Sequence, residues 1–339
     1  MTARGGQTRQ RVWILAAVLL AAGLLVAALG IAVGSTGFGN LLASVSDPVA
    51  ARIVFEIRLP RTLGAWAAGA LLGLAGAIAQ GLFRNPLADP YLLGSASGAT
   101  LALAAALALF GSTAAASSWI ARLGLTGAAF IGAVIGVVLT LLLARGVQHT
   151  LRLLLAGVIV GVVLGAATNL VTLAAPQTLQ AMQGFMLGSA AFVGWPACAL
   201  MAAVWLACMI VAWMLALALD ALALGEATAA SLGLRLAPMR AALVVLLALA
   251  TGTAVAQTGL IAFVGLAAPH LVRGVARTTH ARLMLLASLM GGLLLMGSDV
   301  LARWLIAPQE LPVGVLTAGF GGGYLLWLMH RRGWQGAGR

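Results

Sequence analysis

Lysine is absent from this chain of 339 residues, and charge of either sign is scarce. All 19 basic residues are arginines, and charged residues make up only 8% of the sequence, whereas a soluble domain carries about 25%. Without lysine the chain has no phosphate-binding loop of the G-x-x-x-x-G-K-[ST] type and no residue for a Schiff base. By itself, therefore, it is not expected to hydrolyse ATP, and any ATP-driven function requires a separate ATPase chain.

Residues that build metal or catalytic sites are also few. Two cysteines, Cys198 and Cys208, lie in one apolar run at a spacing that suits neither a disulfide within a helix nor a metal-binding motif. The four histidines are far apart in sequence, and arginines rather than carboxylates or cysteines stand near them. We expect no metal, no cofactor and no catalytic centre in this chain, which disfavours a membrane enzyme.

Hydrophobic residues, in contrast, make up 63% of the sequence and form long runs. A helix needs about 20 apolar residues to cross the hydrocarbon core of a bilayer. The runs predict an all-α, polytopic membrane protein in which residues 1–339 form one bundle and one domain. Ten membrane-embedded helices are predicted, at residues 12–34, 61–82, 91–111, 118–144, 150–174, 193–219, 238–258, 260–275, 281–305 and 312–330.

The arginines predict how this bundle is oriented. With ten spans and the N-terminus inside, 14 of the 19 arginines fall on the cytoplasmic side and five fall outside. Such an excess of positive residues is typical of the cytoplasmic side of membrane proteins. We therefore expect both termini in the cytoplasm. The net charge of +12 then reflects loop arginines beside the lipid bilayer, and no nucleic-acid partner is expected.

The most specific pattern lies between residues 58 and 99. Gly69, Gly73 and Gly76 recur at helical spacing, so one face of the second span is small enough for another backbone to approach closely. A polar hairpin (residues 83–90, FRNPLADP) follows, and its two prolines favour a tight turn between two membrane helices.

Short sequence words continue this pattern along the chain. They are RLPR at 58–61, QG at 80–81, NPLADP at 85–90, LG at 93–94, LLLAG at 153–157, LGEATAASLGL at 224–234, FVGLAAPH at 263–270 and ELPVG at 310–314. In this order the words resemble the permease subunits of type II ABC importers for iron chelates and cobalamin, the FecCD-type family. Two departures stand out: Ala230, where the family often has arginine, and Gly321–Gly323, where it usually has a proline.

The resemblance implies a transport function without covalent chemistry. Its expected form is a homodimer of this chain in the bacterial inner membrane, with two ATPase subunits and a periplasmic substrate-binding protein as partners. ATP and Mg would be bound by the ATPase subunits, not by this chain. The expected cargo is an iron chelate, either a ferric siderophore or haem, and cobalamin is the alternative. A stand-alone secondary transporter or channel is the rival class, which predicts ionisable residues in the middle of spans.

The resemblance also implies where partners bind. Arg58, Arg61 and Arg303 are expected to dock the binding protein, although arginines at this level can instead extend to lipid headgroups. Contact with the ATPase is expected in a coupling segment (residues 220–238) that contains a short helix from about Glu226 to Leu232. The contact residues would be Gly225, Glu226, Ala229, Leu232, Gly233 and Leu234.

A cytoplasmic gate is implied by two further groups of residues. These are Asn85 and Leu87 in the polar hairpin, and His149, Thr150 and Leu151 before the LLLAG word. Thr150 also suits a helix N-cap, and the two roles are compatible.

Polar residues inside spans are rare enough to be considered one by one. Gln80, Thr168 and Asn169 are candidates for the pathway, but each could instead bond to a neighbouring helix. Asp299 is the one acid deep within an apolar run, which raises the hypothesis of a proton relay. Arg303 lies four residues later, and this spacing favours a structural ion pair.

Overall fold

In the computed structural model the described residues are 2–34, 37–38, 47–111, 119–144 and 150–336. Nearly all of them are helical, and Val33–Gly34 pairs with Gly37–Phe38 in a short antiparallel ribbon. The α-helices of these ranges are α1 Thr2–Ala32, α2 Pro48–Ile53, α3 Leu59–Leu82, α4 Ser95–Phe110, α5 Trp119–Leu143, α6 Thr150–Ala174, α7 Leu179–Leu187, α8 Trp195–Met214, α9 Ala216–Ala223, α10 Glu226–Ser231, α11 Leu236–Thr258, α12 Val264–Val275, α13 His280–Trp304 and α14 Val313–Gly336.

The predicted class, an all-α membrane protein, is confirmed. Among the described residues seven helical stretches are long and apolar enough to cross a membrane. Two shorter apolar helices, Ser95–Phe110 and Val313–Trp327, lie where further spans were predicted, and so does the 12-residue α12. Each predicted segment thus falls mainly on a helix, while the count of ten spans and the orientation of the termini stay predictions.

The second predicted span begins earlier than expected. A helix runs without interruption from Pro48 to Leu82, and a π-helical turn at Val54–Arg58 separates α2 from α3. In this turn the N–H of Leu59 bonds to the carbonyl of Val54, five residues back. The wider turn accommodates Pro60, which has no N–H to donate, at the second position of α3. The helix therefore begins before residue 61, where the predicted span starts.

α3 forms the centre of the bundle, and its glycine face is what lets neighbouring helices come close. A Cβ atom added at Gly73 would overlap the carbonyl of Ala287 in α13, and one added at Gly76 would overlap the carbonyl of Gly265 in α12. Gly69 meets the backbone of α13 in the same way. The predicted small-residue face is thus confirmed, and backbone contact here takes the place of side-chain packing.

The same kind of packing joins α4 to α5. Gly132 and Gly136 of α5 lie against the backbone carbonyls of Gly98 and Gly94, so that neither position has room for a side chain. Gly94 has a left-handed backbone conformation with φ of 79°, which glycine adopts without steric cost. Just before α4, the carbonyl of Leu93 accepts from the hydroxyl of Thr140 in α5 at 2.9 Å, so the connection that follows the polar hairpin also lies against α5.

Candidate functional site

Four charged residues that are far apart in sequence meet at one end of α3 and α13. Arg61 donates from Nη2 to Oδ1 of Asp299 at 2.9 Å, and its Nη1 lies 2.9 Å from Oε2 of Glu310. Arg303 donates from Nη2 to Oδ2 of Asp299 at 2.7 Å. We call these four residues the charge cluster. Asp299 is only 1% exposed, and both of its carboxylate oxygens accept from guanidinium groups. The structure therefore supports the structural ion pair rather than a proton relay.

Arg303 also ties the end of α1 to the bundle. Its Nη1 donates to the carbonyls of Gly30 at 2.9 Å and Val33 at 3.3 Å, and its Nη2 donates to the hydroxyl of Thr62 at 3.2 Å. The side chain is almost fully buried. A buried guanidinium is tolerated only when its charge is paired and its donors are bonded, and Arg303 meets both conditions.

These contacts change the interpretation of the three arginines assigned to docking. Arg61 and Arg303 are buried, and their guanidinium groups pair with Asp299 and Glu310 of the same chain. Arg58 is partly buried and donates to two carbonyls at the end of α1. Docking of a binding protein at these residues stays a prediction.

The coupling segment contains the short helix that the sequence predicts. α10 spans Glu226–Ser231, and a glycine with positive φ stands on each side of it, Gly225 at 107° and Gly233 at 77°. Glycine is favoured at such positions because a Cβ atom would clash with the backbone. The two glycines therefore set α10 off from α9 and α11 as a separate element.

Only part of the coupling segment is available to a partner. Leu232 is 62% exposed, and Leu234 is half-buried. Ala229, in contrast, is fully buried against Ala221 and Leu222 of α9. The side chain of Ala229 thus faces the interior of the chain itself, and its contact with the ATPase stays a prediction that this burial does not support.

Glu226 at the start of α10 joins three elements, which sequence reasoning did not foresee. Its Oε1 lies 2.8 Å from Nη2 of Arg240 in α11 and 3.4 Å from Nη2 of Arg84 in the polar hairpin. Arg240 is buried, whereas Arg84 and Glu226 are each about two-fifths exposed. The sequence shows that charged residues occur in the polar hairpin, in the coupling segment and in α11, but it does not specify which of them pair.

The polar hairpin is a series of hydrogen-bonded turns. Oδ1 of Asn85 accepts from the N–H of Leu87 at 2.9 Å, and Oδ1 of Asp89 accepts from the N–H of Tyr91 at 2.8 Å. Asn85 and Leu87 are exposed, as is Leu151 at the start of α6. Two other predicted gate residues cannot be compared, since His149 and the side chain of Thr150 lie outside the described residues. The gate stays a prediction.

A cavity of about 300 Å³ opens beside the hairpin, between it and α6. Asp89 and Ser97 supply polar groups to its wall, and Gly157 and Gly161 of α6 line the opposite side. Burial raises the pKa of Asp89 above its usual value, and the hydrogen bond from Tyr91 offsets this only in part. The hairpin thus carries a carboxyl group that favours its neutral form more than an exposed aspartate does.

The three candidate pathway residues have different environments. Gln80 is buried, donates to the carbonyl of Leu266 at 3.0 Å and accepts from Arg273, so it joins α3 to α12, and a place in the pathway stays a prediction. Thr168 is buried and bonds back to the carbonyl of Leu164 in its own helix. Asn169 is exposed on α6 and is therefore the one of the three that faces outward from this chain.

Residues 14–331 match the FecCD transport family over nearly the whole chain. The chain belongs to this family. The hemin transport system permease protein HmuU of Yersinia pestis is 36% identical over 324 residues, which cover 93% of this chain and 96% of HmuU. The vitamin B12 import system permease protein BtuC of Salmonella paratyphi A is 37% identical over 335 residues, covering 96% of this chain and 97% of BtuC.

A solved structure agrees with these relatives. An inward-facing metal-chelate type ABC transporter superposes with a TM-score of 0.83 at 27% identity, covering 94% of this chain and 99% of that one. The resemblance drawn from the sequence words is confirmed: this chain is a permease subunit of the type II ABC importer class, a multi-pass membrane protein whose role is transport.

Proposed function

We propose that two copies of this chain form the membrane pathway of an importer that moves an iron chelate, a ferric siderophore or haem, from the periplasm to the cytoplasm. Two separate ATPase subunits would drive it, and a periplasmic binding protein would deliver the cargo at the bacterial inner membrane. The family match over residues 14–331 carries this proposal. The exposed Leu232 beside α10, in the segment that the family uses for ATPase contact, supports it.

The proposed topology has ten membrane-embedded helices and both termini in the cytoplasm. Seven helices meet the length and hydropathy that a span requires, and α4, α12 and the apolar part of α14, Val313–Trp327, would complete the bundle. The arginine asymmetry supports this orientation. The charge cluster then lies on the periplasmic side, and the coupling segment and polar hairpin lie on the cytoplasmic side.

A labelling experiment tests the orientation. Cysteine at Leu232, in a chain whose buried Cys198 and Cys208 are replaced by alanine, should react with an impermeant thiol reagent in inside-out vesicles only. Reaction in intact spheroplasts would place α10 outside and refute the topology.

Mechanistically, the chain would work by moving helices rather than by reacting with its cargo. ATP binding would close the ATPase pair and shift α10, and this shift would open or close a constriction formed by Asn85, Leu87 and the start of α6. Constrictions of apolar and small polar side chains suffice to close a pathway. Asn169, exposed on α6, is the polar residue that we assign to the pathway wall.

The cargo divides the proposal into two cases. HmuU, a hemin permease, and the metal-chelate transporter favour an iron chelate, whereas BtuC, a vitamin B12 permease, is equally similar in sequence. Cobalamin is therefore the alternative cargo. Proteoliposomes that hold the permease, its ATPase and its binding protein should take up haemin or a ferric siderophore but not cyanocobalamin. Uptake of cyanocobalamin alone would reverse this assignment.

A further inference from the structure

Arg84 occupies a backbone position that favours glycine. At the end of α3 the N–H of Arg84 bonds to the carbonyl of Gly81, and the N–H of Asn85 bonds to the carbonyl of Gln80. This pair of bonds is the Schellman motif, in which the first residue after the helix cap adopts a left-handed conformation and is usually glycine. Arg84 has φ of 50° there. A residue with a side chain at such a position is disfavoured by its own backbone, which suggests that the side chain is needed.

The side chain of Arg84 reaches the coupling segment. Its Nη2 lies 3.4 Å from Oε1 of Glu226, the first residue of α10. The same carboxylate oxygen lies 2.8 Å from Nη2 of the buried Arg240. Glu226 therefore anchors α10 to α11 on one side and to the polar hairpin on the other.

From Arg84 to Leu87 the backbone has little freedom. Asn85 accepts from the N–H of Leu87 through its side chain and from the N–H of Ala88 through its carbonyl. These bonds restrain the chain between Arg84 and Leu87, so we expect a displacement of Arg84 to move Leu87 as well.

We propose that the Arg84–Glu226 ion pair transmits the motion of α10 to the gate residues of the polar hairpin. This inference rests on the proposed function and assigns a positioning role to Arg84, a residue outside the predicted gate and the predicted ATPase contact. The pair is partly exposed, so its contribution to the stability of the fold is expected to be small.

Two substitutions of Arg84 distinguish a role in transmitting motion from a role in the stability of the fold. Arg84→Gly removes the side chain while giving the turn the residue that its backbone favours, so the protein should fold and melt at least as well as wild type. Arg84→Lys keeps a positive charge at the same place. As a matched control, Arg282→Gln removes an exposed arginine at the start of α13.

The movement of the gate can be measured directly. A spin label is placed at Leu87 in a chain without native cysteines, and the distance between the two copies in the full complex in nanodiscs is compared without nucleotide and with ATP and vanadate. Wild type and Arg282→Gln should show a nucleotide-dependent change in this distance. Arg84→Gly should lose the change while ATP hydrolysis continues, Arg84→Lys should recover most of it, and transport per ATP should fall by about 5-fold or more in Arg84→Gly.

Other outcomes would overturn the inference. If the distance change in Arg84→Gly equals that of wild type, the ion pair does not transmit motion. If neither Arg84→Gly nor Arg84→Lys assembles with the ATPase, Arg84 belongs to the ATPase contact instead. Failure of the proposed function looks different, since wild type itself would then show no nucleotide-dependent change and no transport.

Discussion

Removing the carboxylate of Asp299 should destabilise the protein strongly. In the charge cluster this side chain is 1% exposed and neutralises two guanidinium groups, those of Arg61 and Arg303. Asp299→Ala leaves Arg303 buried with only carbonyl and hydroxyl acceptors, while Arg61 keeps Glu310. Loss of one partner of a buried ion pair costs about 3–5 kcal/mol, because the remaining charge is desolvated without compensation.

This cost translates into a measurable melting shift. With an unfolding entropy of about 2.1 cal/mol/K per residue, a chain of 339 residues should lose about 4–7 °C in melting temperature. The measurement is thermal unfolding of the purified permease in detergent, followed by fluorescence. The control is Glu56→Ala, which breaks the exposed Arg52–Glu56 pair and should cost about 1 kcal/mol or less, or about 1 °C.

Two results would refute the reasoning about the charge cluster. One is a melting temperature of Asp299→Ala that lies as close to wild type as that of Glu56→Ala. The other concerns the double variant Asp299→Ala, Arg303→Met, which removes the stranded charge and should recover part of the loss. A double variant that melts below the single one would mean that the unpaired arginine is not the cause.

Three further predictions concern coupling, pH and packing. Leu232→Arg should abolish co-purification with the ATPase, because it places a charge in an apolar contact, and an intact complex would remove the coupling assignment. Asp89 has a raised pKa, so its contribution to stability should fall as the pH rises from about 4 through that pKa. In Asp89→Asn the melting temperature should no longer show this pH dependence. The same dependence of melting temperature on pH in wild type and Asp89→Asn would contradict the prediction. Gly76→Ala should lower the free energy of unfolding by about 1–3 kcal/mol, because the new methyl group meets the backbone of Gly265. The control Gly297→Ala has open space around it and should melt within about 1 °C of wild type. Equal melting temperatures for the two variants would refute the close approach of the helices at Gly76.

Much of the fold could be predicted because a helix that crosses a lipid bilayer needs a long run of apolar residues. Apolar runs of sufficient length indicate the helices, and small residues at helical spacing identified the face of α3 that contacts α12 and α13. The helical stretch before α3 was not predicted because charge and Pro60 suggested a boundary, whereas a π turn accommodates the proline within one continuous helix.

The site residues were harder to predict, because their environment depends on contacts distant in sequence. Arg61 contacts Asp299 and Glu310, which are more than 230 residues away in sequence. No local sequence pattern indicates that these charges neutralise one another. The burial of Ala229 was not foreseen for a related reason, since the face that α10 turns toward α9 is set by tertiary packing. The helix boundaries of α10 could be predicted because two glycines mark them within the local sequence.

The central claim, that this permease works only with a separate ATPase, is tested most directly by reconstitution. Liposomes containing the permease, its ATPase and ATP, with the loaded binding protein added from the periplasmic side, should accumulate the iron chelate. Liposomes that hold a non-hydrolysable ATP analogue, or lack the ATPase, should not. Accumulation by the permease alone under a proton or sodium gradient would contradict the account and identify a secondary transporter.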